Sequence, residues 1–149
     1  MRKKVFSALL TCSLFAVVAT ATAYAQDPGH PVRANIPFDF SVRGKTLPAG
    51  NYEIRRISDQ PDGLMIAGLN HSNRGERVMF ETEAVQSRKV PRRGVLVFNR
   101  YGDSYFLSEI FVSGEQEGRE LHASRQERNL ERETASNKTE PEVIEVAVY

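Results

Sequence analysis

Val32-Arg33-Ala34-Asn35-Ile36-Pro37-Phe38-Asp39-Phe40-Ser41-Val42-Arg43 alternates one apolar residue with one polar residue or proline along its whole length. A period of two puts Val32, Ala34, Ile36, Phe38, Phe40 and Val42 on one face of an extended chain and their neighbours on the other. That is the pattern of a strand with one buried face, whereas a helix would need its apolar residues three and four apart. Pro37 has no N–H to give to a ladder, so the strand is expected at a sheet edge or with a bulge at that point.

Working outward, Gly44 ends this strand, and Leu47-Pro48-Ala49-Gly50 reads as a turn, with proline fixing φ and glycine free to take a left-handed conformation. Strands are then expected over residues 51–57, 64–69 and 78–84, separated by the turn cluster 58–63 and the polar loop 70–75. Residues 95–100 and 105–112 are rich in branched and aromatic side chains and flank Tyr101-Gly102-Asp103-Ser104, which predicts a hairpin. Residues 113–118 form a glycine-bounded polar turn. Ser124-Arg125-Gln126-Glu127 then matches a capping box, in which serine and glutamate satisfy each other's backbone amides at a helix start.

The helix that follows, within residues 124–135, has Leu130 as its one large apolar side chain and is expected on the surface. Residues 136–149 read as a tail or a final strand. With no helices between the earlier strands, parallel βαβ units are ruled out, and the β domain of residues 32–123 is expected to be all-β. Its architecture should be an antiparallel β-sandwich or partly open barrel of about six to seven strands, followed by one short C-terminal helix.

The N-terminus has a different character. Arg2, Lys3 and Lys4 precede an apolar run, and small residues then lead to Ala23-Tyr24-Ala25. This is the three-zone layout of a cleaved secretory signal peptide, residues 1–25, with the cut expected between Ala25 and Gln26 and a flexible lead-in at 26–31. Cleavage leaves 124 of the 149 residues and lowers the basic count from 20 to 17 against 19 acids, a net charge of −2. It also removes the single cysteine, Cys12, so the mature chain is disulfide-free and has no thiol chemistry. An exported protein, periplasmic or secreted, with no transmembrane segment in the mature chain, is the expectation.

Ile36-Pro37-Phe38-Asp39-Phe40, Leu47-Pro48-Ala49-Gly50-Asn51-Tyr52 and Arg100-Tyr101-Gly102-Asp103-Ser104-Tyr105-Phe106-Leu107-Ser108-Glu109-Ile110 together resemble a family of small secreted proteins of unknown function from soil Acidobacteria. The resemblance spans most of residues 32–134 and implies a bacterial envelope or secreted setting. It implies no activity, cofactor or catalytic residue.

Candidate chemistry is sparse. His30, His71 and His122 lack the spacing that holds two ligands on one face, so no metal site is expected. Asp39, Glu53, Glu81 and Glu83 fall on solvent-facing strand positions, and Asp103 suits a turn. With no nucleophile elbow and no phosphate loop, no enzyme activity, catalytic residue or cofactor is expected. The loop residues Arg88, Lys89, Arg92 and Arg93 offer a basic cluster for an acidic glycan, lipid headgroup or nucleic acid, or form an ordinary solvated loop. Without a wider basic stripe and with a net negative mature chain, nucleic acid is not an expected partner.

Tyr52, Arg100, Tyr101 and Tyr105 offer aromatic and cationic side chains for stacking on sugars or docking on protein, or else belong to the edge of the core. The expected function is therefore a non-catalytic exported β-sandwich that binds a partner protein or an envelope or extracellular glycan. One alternative is an assembly component that pairs its first or last strand with a neighbour. Another is a cryptic hydrolase.

Overall fold

The alternation of residues 32–42 survives in the computed structural model, but it is split into two strands at Pro37. The structure describes residues 31–137 and 140–149. The export signal at 1–25, and all of the lead-in except Pro31, lie outside the described residues. The elements are β1 (Val32–Ile36), β2 (Phe40–Val42), β3 (Lys45–Leu47), β4 (Gly50–Ile57), β5 (Gln60–Gly68), β6 (Arg77–Gln86), β7 (Val95–Tyr101), β8 (Ser104–Phe111), β9 (Glu117–Leu121), α1 (Arg125–Ser136) and β10 (Glu142–Ala147).

The architecture is all-β with one short helix near the C-terminal end. β1, β4, β5 and the first half of β6 form one antiparallel sheet. The second half of β6 leaves that sheet and pairs with β9, with Gly63 opposite Glu81 on one side of the change and Thr82 opposite Leu121 on the other. β9, β8, β7 and β10 continue the second sheet, again antiparallel. A strand that changes partners in this way makes a corner between two packed sheets. At the far side, a single bridge between Ala34 and Val148 brings β10 up to β1, with Tyr149 N–H donating to the Arg33 carbonyl at 2.9 Å. The strands thus run round a partly open barrel, tied at one seam by a bridge and not by a full ladder.

Pro37 explains the split. Without its N–H the ladder to β4 stops after Ile36, and the chain crosses to the second sheet, where β2 pairs with β3 and touches β8 in parallel at Ser41 and Phe106. The β2–β3 hairpin takes up the part of the β8 edge that β9 leaves unpaired. Asp39, between the two strands, accepts the Ala49 N–H at 2.8 Å and so fixes the turn after β3. Phe40, Val42 and Leu47 go into the core, and Phe40 meets both Tyr52 and Phe98 edge to face.

Ten strands replace the expected six to seven. β1 is not an edge strand, since β4 lies on one side and the β10 bridge on the other. β3 and β9 are additions to the sequence reading, being three and five residues long and mostly polar. β5 begins at Gln60, earlier than the turn cluster allowed, because the register shifts between Arg56, opposite Leu64, and Ile57, opposite Gln60, which leaves three extra residues, Pro61, Asp62 and Gly63, on the β5 side.

Residues 142–147 form a strand paired with β7, from Glu142 opposite Arg100 to Ala147 opposite Val95. The first and last strands, offered above as docking edges for another subunit, are both engaged within the chain. No helix among the described residues is long and apolar enough to cross a membrane.

The capping box of α1 is formed, with Glu127 N–H donating to Ser124 Oγ at 3.1 Å. The helix rests on β7 through Glu127 and not mainly through Leu130: the carboxylate is buried and accepts from Asn99 Nδ2 at 3.2 Å. Burial pushes the Glu127 carboxyl above its ordinary value, and the bonds from Asn99 and the Ser124 backbone partly offset that rise.

Candidate functional site

The aromatic set does not make one exposed face. Tyr52 is fully buried on β4, and its hydroxyl donates to the Pro48 carbonyl at 2.6 Å, which closes the turn between β3 and β4. Burial also raises its pKa. Tyr101 is buried and meets Phe106 edge to face, and burial first, then the nearby Glu127 and Glu131 of α1, raises its pKa. Tyr105 and Arg100 are cross-strand partners, with the guanidinium 5.4 Å from the ring centroid.

Arg100 is further held by the Gly102 carbonyl at 2.8 Å and by Glu142 at 2.9 Å. Tyr105 is stacked on Phe38 at 4.0 Å. Tyr105 is half-buried, and its ring is engaged within the molecule by Phe38 and by Arg100. The physical reason is the crossing at Pro37, which swings Phe38 over β8. The three motif segments quoted above thus meet at one end of the barrel as packing.

On the outer face, Glu83, Glu120 and Glu109 stand abreast across β6, β9 and β8. Like charges directly opposite one another repel. Burial raises the Glu109 pKa, and Glu120 adds to the rise, while Glu83 has His122 Nε2 at 3.1 Å. Between the ordinary 4.5 and the raised native value, the folded chain keeps a proton that the unfolded chain releases. Stability therefore grows as pH falls through that window, and above it the ionised group costs stability; Glu127 contributes with the same sign. Glu109→Gln is expected to raise the melting temperature at neutral pH and to flatten its gain on mild acidification. A melting series across pH in which the variant and the parent run parallel would contradict this.

The basic loop occupies the opposite end of the barrel from the aromatic packing. Arg88, Lys89, Arg92 and Arg93 are all exposed, and none makes an ion pair among the described residues. The loop is nevertheless fastened. Ser87 N–H donates to the Gln116 carbonyl at 2.9 Å, Gln116 Nε2 donates to the Ser87 carbonyl at 3.2 Å, and Gly114 N–H donates to the Pro91 carbonyl at 3.0 Å. Ser113 Oγ donates to the Arg92 carbonyl at 2.9 Å. These bonds tie the loop between β6 and β7 to the one between β8 and β9, so four cations stand on a braced platform.

Two residues outside the sequence reading take structural or chemical parts. Asn73 is buried in the loop between β5 and β6, where its Oδ1 accepts the Asn70 N–H at 2.7 Å and its Nδ2 donates to the Asn51 carbonyl at 3.1 Å. The available signal was an asparagine pair three apart in a loop, a frequent turn former. Arg119 lies on β9 with its side chain largely covered and paired to Asp62 at 2.9 Å. No signal pointed to it: the expected polar turn ends at Gly118, and no element is expected over residues 119–123.

No family model matches the chain, and neither a curated protein nor a solved structure does.

Proposed function

We propose that this chain is an exported, non-catalytic binding module that takes an acidic envelope or extracellular glycan on the basic end of its β fold. The observation that carries the reading is the braced loop, whose Arg88, Lys89, Arg92 and Arg93 are exposed and without ion pairs among the described residues. Bracing matters because a loop already ordered loses less entropy on binding. A local positive field on a chain whose net charge would be −2 after removal of residues 1–25 also gives a polyanion one preferred end to approach. The three-zone N-terminus supports export, which would place this end in contact with envelope polymers. The two carboxyls with raised pKa have structural partners that account for them: Glu127 is a helix anchor, and Glu109 belongs to a row of like charges.

Retention of the exported chain on immobilised polygalacturonate, compared with neutral dextran, tests the proposal. Retention on the acidic polymer should weaken steeply with salt. The combined variant R88Q/K89Q/R92Q/R93Q should bind at least ~10-fold more weakly, since four screened charge contacts of a few tenths of a kcal/mol each multiply to that factor. Equal retention on dextran, or an unchanged affinity in the variant, would overturn the proposal.

A further inference from the structure

The same end of the barrel contains a second feature, independent of the glycan reading. Where β1, β4 and β5 face β8 and β9, a cavity of about 150 Å³ opens between the two sheets. Val32, Ile54, Leu64, Ile110 and Val112 supply its apolar lining. Register sets two cationic positions on the inner face, with Arg56 opposite Leu64 and Arg119 opposite Ile110. A cavity of ~150 Å³ with an apolar lining is known to hold a benzene molecule.

Arg119 gives this cavity a chemical preference. Its side chain is 16% exposed, yet its ion-pair partner Asp62 is 64% exposed, and the pair is made through one nitrogen, Nη1, at 2.9 Å. A guanidinium has five N–H donors in a fixed fork, so most of this fork makes no bond to protein. Among the described residues no buried side-chain nitrogen or oxygen lacks a partner, so the remaining donors of Arg119 are reached by solvent, and Arg119 is one of the residues that line the cavity.

The rest of the rim carries both signs. Arg55 and Arg56 line it together with Glu115 and Glu117, and none of these four makes an ion pair among the described residues. The two glutamates disfavour a second negative charge on a ligand, while a single one can be met by the fork of Arg119. The Asp62 end of the pair is exposed and screened by water, which weakens its hold on Arg119. A carboxylate brought in from the sheltered side can accept two parallel bonds from the same guanidinium.

We propose that this cavity is a binding site for a small organic monocarboxylate, whose apolar body, about the size of one six-membered ring, lodges among Val32, Ile54, Leu64, Ile110 and Val112. Its carboxylate takes the Arg119 fork in competition with Asp62. The apolar body supplies affinity through burial, and the guanidinium sets orientation and the preference for an acid.

Titration of the exported chain with benzoate, followed by the methyl resonances of Ile54 and Ile110 and by calorimetry, tests the site, with benzyl alcohol as the uncharged analogue. Saturable shifts with benzoate are expected, with benzyl alcohol at least ~10-fold weaker, the worth of a charge-assisted bidentate pair. Arg119→Gln should weaken benzoate by a similar factor. Asp62→Asn should tighten it several-fold, because it removes the competitor; Asp62 is exposed, so this variant answers the question even if Arg119→Gln fails to fold.

The combined loop variant should retain full benzoate affinity while losing the polysaccharide, which keeps the two proposals separable. The site is overturned if benzoate gives no saturable shift, if benzyl alcohol binds as well as benzoate, or if Asp62→Asn leaves benzoate affinity unchanged or weaker.

Discussion

Phe40→Ala is expected to destabilise the fold by about 3–5 kcal/mol, the usual range for emptying a buried aromatic site. Phe40 is 1% exposed, and its ring lies 5.2 Å from Tyr52 and 5.5 Å from Phe98, edge to face with both. Tyr52 is on β4 in the first sheet and Phe98 on β7 in the second, so this one side chain of the short β2 joins both. Its loss removes two aromatic pairs in addition to the buried area.

Set against a total stability on the order of 5–15 kcal/mol, the variant falls close to the threshold of folding. Urea unfolding of parent and variant measures the difference. A cost under ~1 kcal/mol would mean that the surrounding side chains collapse into the space and that the β2–β3 hairpin does not join the sheets as described.

Asn73→Ala is the second large effect, expected at about 2–4 kcal/mol from one orphaned amide and one small void. The side chain is 1% exposed, and its loss leaves the Asn70 N–H without its acceptor and takes one of two donors from the Asn51 carbonyl. The loop is packed too closely for another side chain to replace it. A Cβ on Gly68 would come 2.1 Å from the Asn73 carbonyl oxygen, and one on Gly50, where φ is +155°, would come 2.6 Å from Asn73 Nδ2.

The damage should be local before it is global. Amide exchange at Gly68 and Leu69, which donate to Glu76 and Asn51 respectively, is expected to accelerate well beyond that of Leu96 or Phe98. Uniform acceleration across the chain would show that the loop is part of the global unfolding unit.

These two positions also show what was legible in the sequence. Phe40 belongs to a period-two pattern that spans both β1 and β2, and its burial could be read from alternation alone. The break at Pro37 was legible only as a local fault, because a missing N–H says that a ladder stops and not where the chain goes next. Asn73 was hidden for a different reason: a loop asparagine looks solvent-exposed until the backbone around it is known.

β9 was hidden because Glu117-Gly118-Arg119-Glu120-Leu121 contains one large apolar residue, and Gly118 sits where a Cβ would come 2.3 Å from the Phe111 ring. Its strand character comes from pairing with β6 and β8, which is a tertiary effect that overrides local propensity. The aromatic group Tyr52, Arg100, Tyr101 and Tyr105 was visible as a set of residues. Its disposition was not, since the ring of Phe38 over Tyr105 depends on the crossing between sheets. The basic loop was legible in both position and charge, and only its bracing came from the fold.

The seam between β1 and β10 sets an order on the assembly of the molecule. Arg33 and Tyr149 bond across almost the full length of the described chain, so this contact closes the longest loop in the fold and carries the largest entropy of closure. The hairpins β4–β5 and β7–β8 close short loops and can form early, whereas the two ends meet only after both sheets exist. With one bridge in place of a ladder, the seam rests on few bonds, the reciprocal pair between Arg33 and Tyr149 among them. The barrel is therefore built like a clasped band, whose fastening is expected to be the last step in and the first step out.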